Sequence, residues 1–510
     1  MAGSQLTIRR RSHHLVLLPH ADTAVVVIEG YCRRLVEYTL IPNQGNLTSV
    51  PDKVYAVYRS KAKEYRIHFN LYQDFINFVG NKITYEIIDD VPTQGEIISL
   101  PIFDKWVLRE NQVPFFEYSK HTPKLWEQPN RILTCQPGAG KSFILMKTMS
   151  DYKRRAIIVM RPTYMFNFES EMWDTYDISA ERVLTVAGSH ELVSFLNSIK
   201  DNTFDKDIVM ISNRTLYRYF KSFISLSKEE FCAKYPLDID ELFKYGRFGL
   251  RAIDEVHQDF HLNFTLDLFT NVTKSLSLSA TLVPGKNRFL SYIQNVAYPD
   301  ADRFVQENIN VYVDAYAMIY NLESPTKAKY TNGAFYSHNT YEKYLLSRKK
   351  LLSNYVDYIK MSIDFLYMNK RVPGKKFLVF VSSGNMGKFL QIKLQSIYPD
   401  LIVGRYIRKY KDPKHVLLDS DIIVSTLQSC GTAVTVPNLS GVFLSVAIDS
   451  ESSNKQAFGR IRELADSDKH VFGYAVCNDI RSHRSYHSSK KEYLTSRVNQ
   501  IQEIQTRIYV

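Results

Sequence analysis

The sequence predicts an α/β protein with two parallel-sheet domains behind a smaller α/β module. Three observations predict it. Short apolar runs alternate with amphipathic helical stretches between residues 96 and 300. The same alternation restarts after Val372-Pro373-Gly374. The run Cys135-Gln136-Pro137-Gly138-Ala139-Gly140-Lys141-Ser142 stands between a strand-like segment, Ile132-Leu133-Thr134, and a helix-like one, residues 143–146. Such alternation implies parallel strands joined by crossover helices on both faces of a sheet.

The elements follow in chain order. In the module, residues 1–95, apolar stretches at 23–28, 54–58 and 65–69 read as strands and 71–79 as a short helix. Arg9-Arg10-Arg11, Arg33-Arg34, Lys61, Lys63 and Arg66 make it locally basic. In the first domain, residues 96–300, the strand candidates are 132–135, 156–160, 183–186, 208–212, 250–253 and 276–279. The second domain, residues 301–510, opens with a strand at 309–315, a polar loop at Thr331-Asn332-Gly333 and a long helix over 341–368, whose aromatics read as core. Strands at 377–381, 422–425, 442–446 and 471–476 follow, and the tail over 490–507 reads as a helix.

Bulk properties narrow the class. At 510 residues the chain has room for about three domains. Hydrophobic residues at 45% and charged residues at 23% are ordinary for a globular chain. No apolar run reaches roughly 18 residues, so no membrane partner is expected. The basic N-terminus lacks the apolar stretch of a secretory signal. Five scattered cysteines with no Cys-x-x-Cys pair argue against a zinc ribbon and for a reducing, cytoplasmic location. A net charge of +12 favours a polyanionic partner. His13-His14 and the pairs Lys349-Lys350, Lys375-Lys376 and Lys490-Lys491 read as solvated.

Two segments carry chemistry. A glycine-rich turn between strand and helix is a phosphate cradle: Gly138 and Gly140 let backbone N–H groups wrap phosphate oxygens, with Ala139 between them. Lys141 is placed to reach the β- and γ-phosphates, Ser142 to bind Mg²⁺, and the helix N-terminus adds positive field. About 110 residues on, Asp254-Glu255-Val256-His257 follows an apolar strand. A carboxylate at that place holds the metal, and its neighbour can orient and deprotonate water. Asp254 and Glu255 are those candidates, and His257 is a candidate sensor of the γ-phosphate. Ser279-Ala280-Thr281 follows the next strand, and the hydroxyls of Ser279 and Thr281 could bond the acidic segment and pass on nucleotide state.

This set resembles the superfamily 2 helicases of the DExH type, over residues 105–475. The resemblance implies two tandem RecA-like domains, ATP and Mg²⁺ as cofactors, and hydrolysis in a cleft between the domains. It assigns further residues. Gln112, in Leu108-Arg109-Glu110-Asn111-Gln112, matches the glutamine that reads adenine. Arg161-Pro162-Thr163, Arg214-Thr215, Ser383 and Thr426 with Gly431-Thr432 match loops on the nucleic-acid backbone. Gln456-Ala457-Phe458-Gly459-Arg460 matches the final motif, whose arginine neutralises the transferring phosphoryl group.

Departures are visible. Cys135 replaces a first glycine, Thr435 stands where many relatives have Asp, and Arg462 comes one residue early, with Glu463 in its place. On a helix one residue is a rotation of about 100°, so Arg460 and Arg462 compete as the finger. The shorter Gly-Arg-x-Arg form also resembles herpesvirus origin-binding helicases. Within the superfamily the chain looks most like phage UvsW-type recombination helicases. That implies a monomer moving 3′→5′ on DNA, single-stranded or branched, with RNA as the alternative, and a module that binds duplex at a junction. Two other readings stay open: an ATP-driven translocase that remodels complexes without unwinding, and a nucleic-acid-binding protein with a degenerate ATPase.

Overall fold

The computed structural model describes residues 4–510 apart from 44–45, 60–62, 125–126, 128, 136–138, 280–281, 283–286, 306–310, 334, 414, 431–433, 435, 463 and 465–469. The chain divides into two units, Met1–Cys135 with Ala139–Gln306, and Glu307–Val510.

The first unit holds two sheets. The N-terminal one is mixed, in the order Val57–Arg59, Glu64–His68, His14–Pro19, Leu6–Arg10, Tyr85–Asp89; its last pair is parallel and the others antiparallel. A separate antiparallel hairpin joins Val36–Asn43 to Asn46–Val54. The apolar run at 23–28, expected as a strand, lies inside the helix Asp22–Cys32. Its buried residues are Ala24, Ile28, Tyr31 and Cys32, a spacing of four, three and one that makes one helical stripe.

The second sheet of this unit has seven parallel strands, ordered Val183–Val186, Ile208–Ser212, Ala156–Met160, Leu250–Ile253, Lys274–Ser279, Asn130–Thr134, Arg303–Val305. Its interior strand Ala156–Met160 is buried throughout, as a strand covered on both faces must be. Parallel pairing brings every strand's C-terminal end to one edge, where ligands of such sheets bind.

The second unit repeats the plan, ordered Val403–Tyr406, Ile422–Thr426, Lys376–Val381, Leu439–Leu444, His470–Cys477, Val313–Asn321, Gln500–Tyr509, all parallel. The protein is thus two tandem RecA-like parallel-sheet domains with a small N-terminal α/β domain. The tail is not one helix. It is the helix Arg481–Leu494 followed by the edge strand Gln500–Tyr509. Ile501, Ile504 and Ile508 are spaced like a helical stripe, yet Ile501 packs on one face of the sheet and Ile504 and Ile508 on the other. The long helix at 341–368 is two, His338–Leu346 and Lys349–Leu366, and Tyr341, Tyr355 and Tyr358 on them are core. Several side chains expected in solvent are buried: His13, His14, Lys375, Lys376 and Lys490. Among the described residues no helix is long and apolar enough to cross a membrane.

Candidate active site

The phosphate-loop candidate follows the strand Asn130–Thr134. Gly138, with Gln136 and Pro137, lies outside the described residues. Gly140 caps the helix Lys141–Tyr152 in the left-handed region, φ +85°. A Cβ on Gly140 would stand 2.2 Å from Gln112 Nε2. Gln112 is 4% exposed. Its Nε2 donates to the Ala139 carbonyl at 3.0 Å, and its Oε1 accepts the Arg109 N–H at 3.0 Å. The candidate adenine reader is therefore tied directly to the loop. Lys141 and Ser142 open the helix, and Lys141 Nζ lies 3.4 Å from the Cys135 carbonyl. Burial pushes the Cys135 thiol up to about 12, so it stays protonated and inert.

Asp254 and Glu255 leave the C-terminal end of Leu250–Ile253, and the Asp254 N–H donates to the Val159 carbonyl of the adjacent strand. Burial first, and then the Glu255 charge, push the Asp254 carboxyl up to about 7, against the Lys141 ammonium, which lowers it. Two crowded carboxylates beside one ammonium are short of positive charge. Hard oxygens in that setting suit Mg²⁺, so the residues present fit the ion. Glu255 takes φ +53°, uncommon outside glycine. His257 Nδ1 lies 3.2 Å from Glu255 Oε2 and 2.9 Å from Ser279 Oγ. The sheet order makes this contact possible, because Lys274–Ser279 pairs with both Leu250–Ile253 and Asn130–Thr134. Ser279 therefore stands between the acidic pair and the phosphate loop. Thr281 lies outside the described residues.

The strand-end loops of this sheet gather on Asp259. Arg161 caps the helix Pro162–Thr175, with Pro162 at its first position; Pro162 and Thr163 are exposed. The Arg161 guanidinium holds Asp259 side-on, Nε to Oδ2 and Nη2 to Oδ1, both 2.7 Å. Asn213 Nδ2 donates to Asp259 Oδ2 at 3.3 Å. Burial opposes ionisation of Asp259, but the Arg161 hydrogen bonds and charge outweigh it and hold the carboxyl below its usual range. Arg214 is exposed, whereas Thr215 is buried and its hydroxyl donates to the Ala187 carbonyl at 2.9 Å.

In the second unit, Ser383 caps the helix Gly384–Ile397, and its hydroxyl accepts the Met386 N–H. The N–H groups of Ser382 and Ser383 donate to buried Glu342, at 2.6 and 2.8 Å. Burial pushes that carboxyl up to about 7. Thr426 ends the strand Ile422–Thr426 and donates to Ser429 Oγ at 2.9 Å. Gly431 and Thr432, like Thr435 and Glu463, lie outside the described residues. Gln456 lies in the helix Glu451–Phe458, which Gly459 ends. Arg460 and Arg462 follow that end, so a helical rotation does not relate them. Arg460 turns inward, Nη1 donating to the Val434 carbonyl at 2.7 Å, while Arg462 is exposed.

Sequence reasoning missed Asp259 and Glu342. Asp259 finds its partners 98 and 46 residues away, and Glu342 finds Ser382 40 away, so no local spacing signals them.

No protein-family model matches the chain, and no curated protein matches it. Among solved structures it is similar to S. cerevisiae Dbp5 bound to RNA and ADP BeF3, at 12% identity over 78% of this chain and 90% of that one, TM-score 0.49. It is similar to the Pyrococcus furiosus Hef helicase domain, at 12% identity over 75% of this chain and 98% of that one, TM-score 0.44. It is also similar to T4 UvsW, at 14% identity over 98% of this chain and 99% of that one, TM-score 0.31.

Proposed function

We propose that this chain is an ATP-driven motor on nucleic acid, a DExH-type helicase or translocase working on single-stranded or branched DNA. The observation that carries the reading is the contact chain Glu255–His257–Ser279 at the sheet edge, with the Gly140–Lys141 helix start on one side and Arg161 on the other. An isolated nucleotide-binding loop needs no such chain; a site that must report its nucleotide state does.

In this reading the loop ending at Gly140 and the ammonium of Lys141 bind the phosphates of ATP, and Gln112 links the base to the loop. Ser142 and Asp254 would hold Mg²⁺, which supplies positive charge to the phosphate oxygens. Glu255 orients the attacking water and takes its proton. Glu255 is held beside His257, so a change at the phosphates reaches Ser279 and the next strand. Arg161, Thr163, Arg214 and Thr426 contact the nucleic-acid backbone. Backbone contacts position without reading sequence, as a motor requires. Arg460 neutralises charge on the transferring phosphoryl group.

The test is ATP turnover with single-strand, duplex, forked and four-way substrates in DNA and RNA, for wild type, Lys141→Ala and Arg460→Ala. Turnover should rise with nucleic acid and fall by about 10²-fold or more in each variant. Turnover that survives Lys141→Ala sinks the reading. Strand displacement separates unwinding from translocation alone.

A further inference from the structure

The segment from Asp254 to Asp259 begins on the nucleotide side and ends on another. Asp254 and Glu255 open it, His257 meets Ser279 at its middle, and Asp259 closes it on Arg161 and Asn213. Arg161 follows the strand Ala156–Met160, and Asn213 follows its neighbour Ile208–Ser212. One carboxylate therefore joins two strand-end loops to the acidic-pair segment.

The segment is also held as a unit. Buried Asn263 donates through Nδ2 to the carbonyls of Val256 and Gln258, at 3.0 and 2.8 Å. The Tyr164 hydroxyl, on the Arg161 helix, donates to Gln258 Oε1 at 2.8 Å. Glu255 and Asp259 both take left-handed backbone, φ +53° and +55°. Two such residues in six mark a path imposed by contacts rather than by local preference.

We infer that Asp259 is the positioning residue through which nucleotide-side changes at Asp254–His257 set the Arg161 guanidinium, and through which a phosphate drawn to Arg161 is felt at the acidic pair. The inference rests on the reading of the chain as a nucleic-acid motor. A carboxylate and a phosphate both match the same guanidinium fork, so a backbone phosphate at Arg161 competes with Asp259 for it. Moving Asp259 changes what Arg161 offers, and occupying Arg161 changes what holds Asp259. Coupling of this kind is reciprocal: nucleotide shifts nucleic-acid affinity by the same factor as nucleic acid shifts nucleotide affinity.

Asp259→Asn tests it, because Asn keeps the shape and tolerates left-handed backbone while removing the charge. The full chain is titrated into a labelled single-stranded DNA oligonucleotide, with and without a non-hydrolysable ATP analogue, and anisotropy gives the affinity ratio. Wild type should show a ratio of at least about fivefold, and Asp259→Asn less than about twofold. Arg161→Gln removes the other half of the pair and should lose the ratio equally. The double variant should lose no more than either single, the signature of one shared interaction. If Asp259→Asn does not fold, Arg161→Gln alone decides. A wild-type ratio retained in the variants overturns the inference and leaves the motor reading standing. So does a variant with lower melting temperature and weaker binding but an unchanged ratio, which is what a merely structural role produces. A wild-type protein without any shift overturns the inference together with the motor reading.

Discussion

Gly140 shows how much one residue can determine. Its left-handed backbone is strained for any side chain, and a Cβ there would also press on the terminal amide of Gln112. Lys490 shows the opposite case, a residue whose position works against stability. It is buried in the second unit, and burial pushes its ammonium down to about 7 from 10.5. The folded state holds that proton less well than the unfolded state, so stability rises with pH between about 7 and 10.5. Below about 7 the penalty is complete. Lys490→Met should therefore stabilise the second unit by on the order of a few kcal/mol below pH 7, with the gain fading toward pH 10.5. Thermal melts at pH 6, 8 and 10 check this, and a gain independent of pH would refute it. Lys490 read as solvated because a lysine pair in a helix carries no signal of burial. Lys141, Ser142, Asp254 and Glu255 stand out as candidates in the sequence because strand, turn and helix adjoin them.

At the scale of elements, the N-terminal module and the first parallel sheet share a polar seam. Arg66, 1% exposed, pairs with Glu64 and with Asp240, which is 34% exposed. Arg11 reaches Asp240, and the His14 ring lies 3.2 Å from the Thr270 carbonyl. The module's basic residues are in large part paired internally, Arg10 with Asp89 and Arg11 with Asp90 among them. Deleting residues 1–95 would strip these partners from the first sheet domain, so point variants probe the module better. Arg66→Ala should cost about 3 kcal/mol, the low end for a broken buried pair, because Asp240 keeps some contact with water. Urea unfolding measures it, and a loss within experimental error would show the seam to be neutral. The sequence misread two elements here for one reason. Residues 23–28 and the tail over 500–509 are short apolar patterns, and only their packing partners distinguish a helix from a strand. The tail pairs with Val313–Asn321, and the two-residue alternation of a strand places Ile501 on the face opposite Ile504 and Ile508.

For the whole molecule, a charge of +12 and the proposed contacts to a nucleic-acid backbone imply salt-dependent binding. On single strands the logarithm of affinity should fall linearly with the logarithm of salt, by about 0.7 per phosphate contacted. Arg214→Ala should reduce that slope by about 0.7 without changing preference among sequences. A slope near zero for wild type would contradict the proposed partner. The strand, turn and helix start around Gly140-Lys141 and the strand that ends at Asp254-Glu255 were legible in the sequence itself, because each is a short pattern of residue types. Which strand end stands beside which was decided by the tertiary structure. In chain order Lys274–Ser279 is far from Asn130–Thr134, yet the sheet sets it between that strand and Leu250–Ile253. The contact of Ser279 with His257 follows from that placement, and the hold of Asp259 on Arg161 from the pairing of Leu250–Ile253 with Ala156–Met160. Pairing between distant strands depends on how every crossover helix packs on the sheet, and no local window of sequence contains that information.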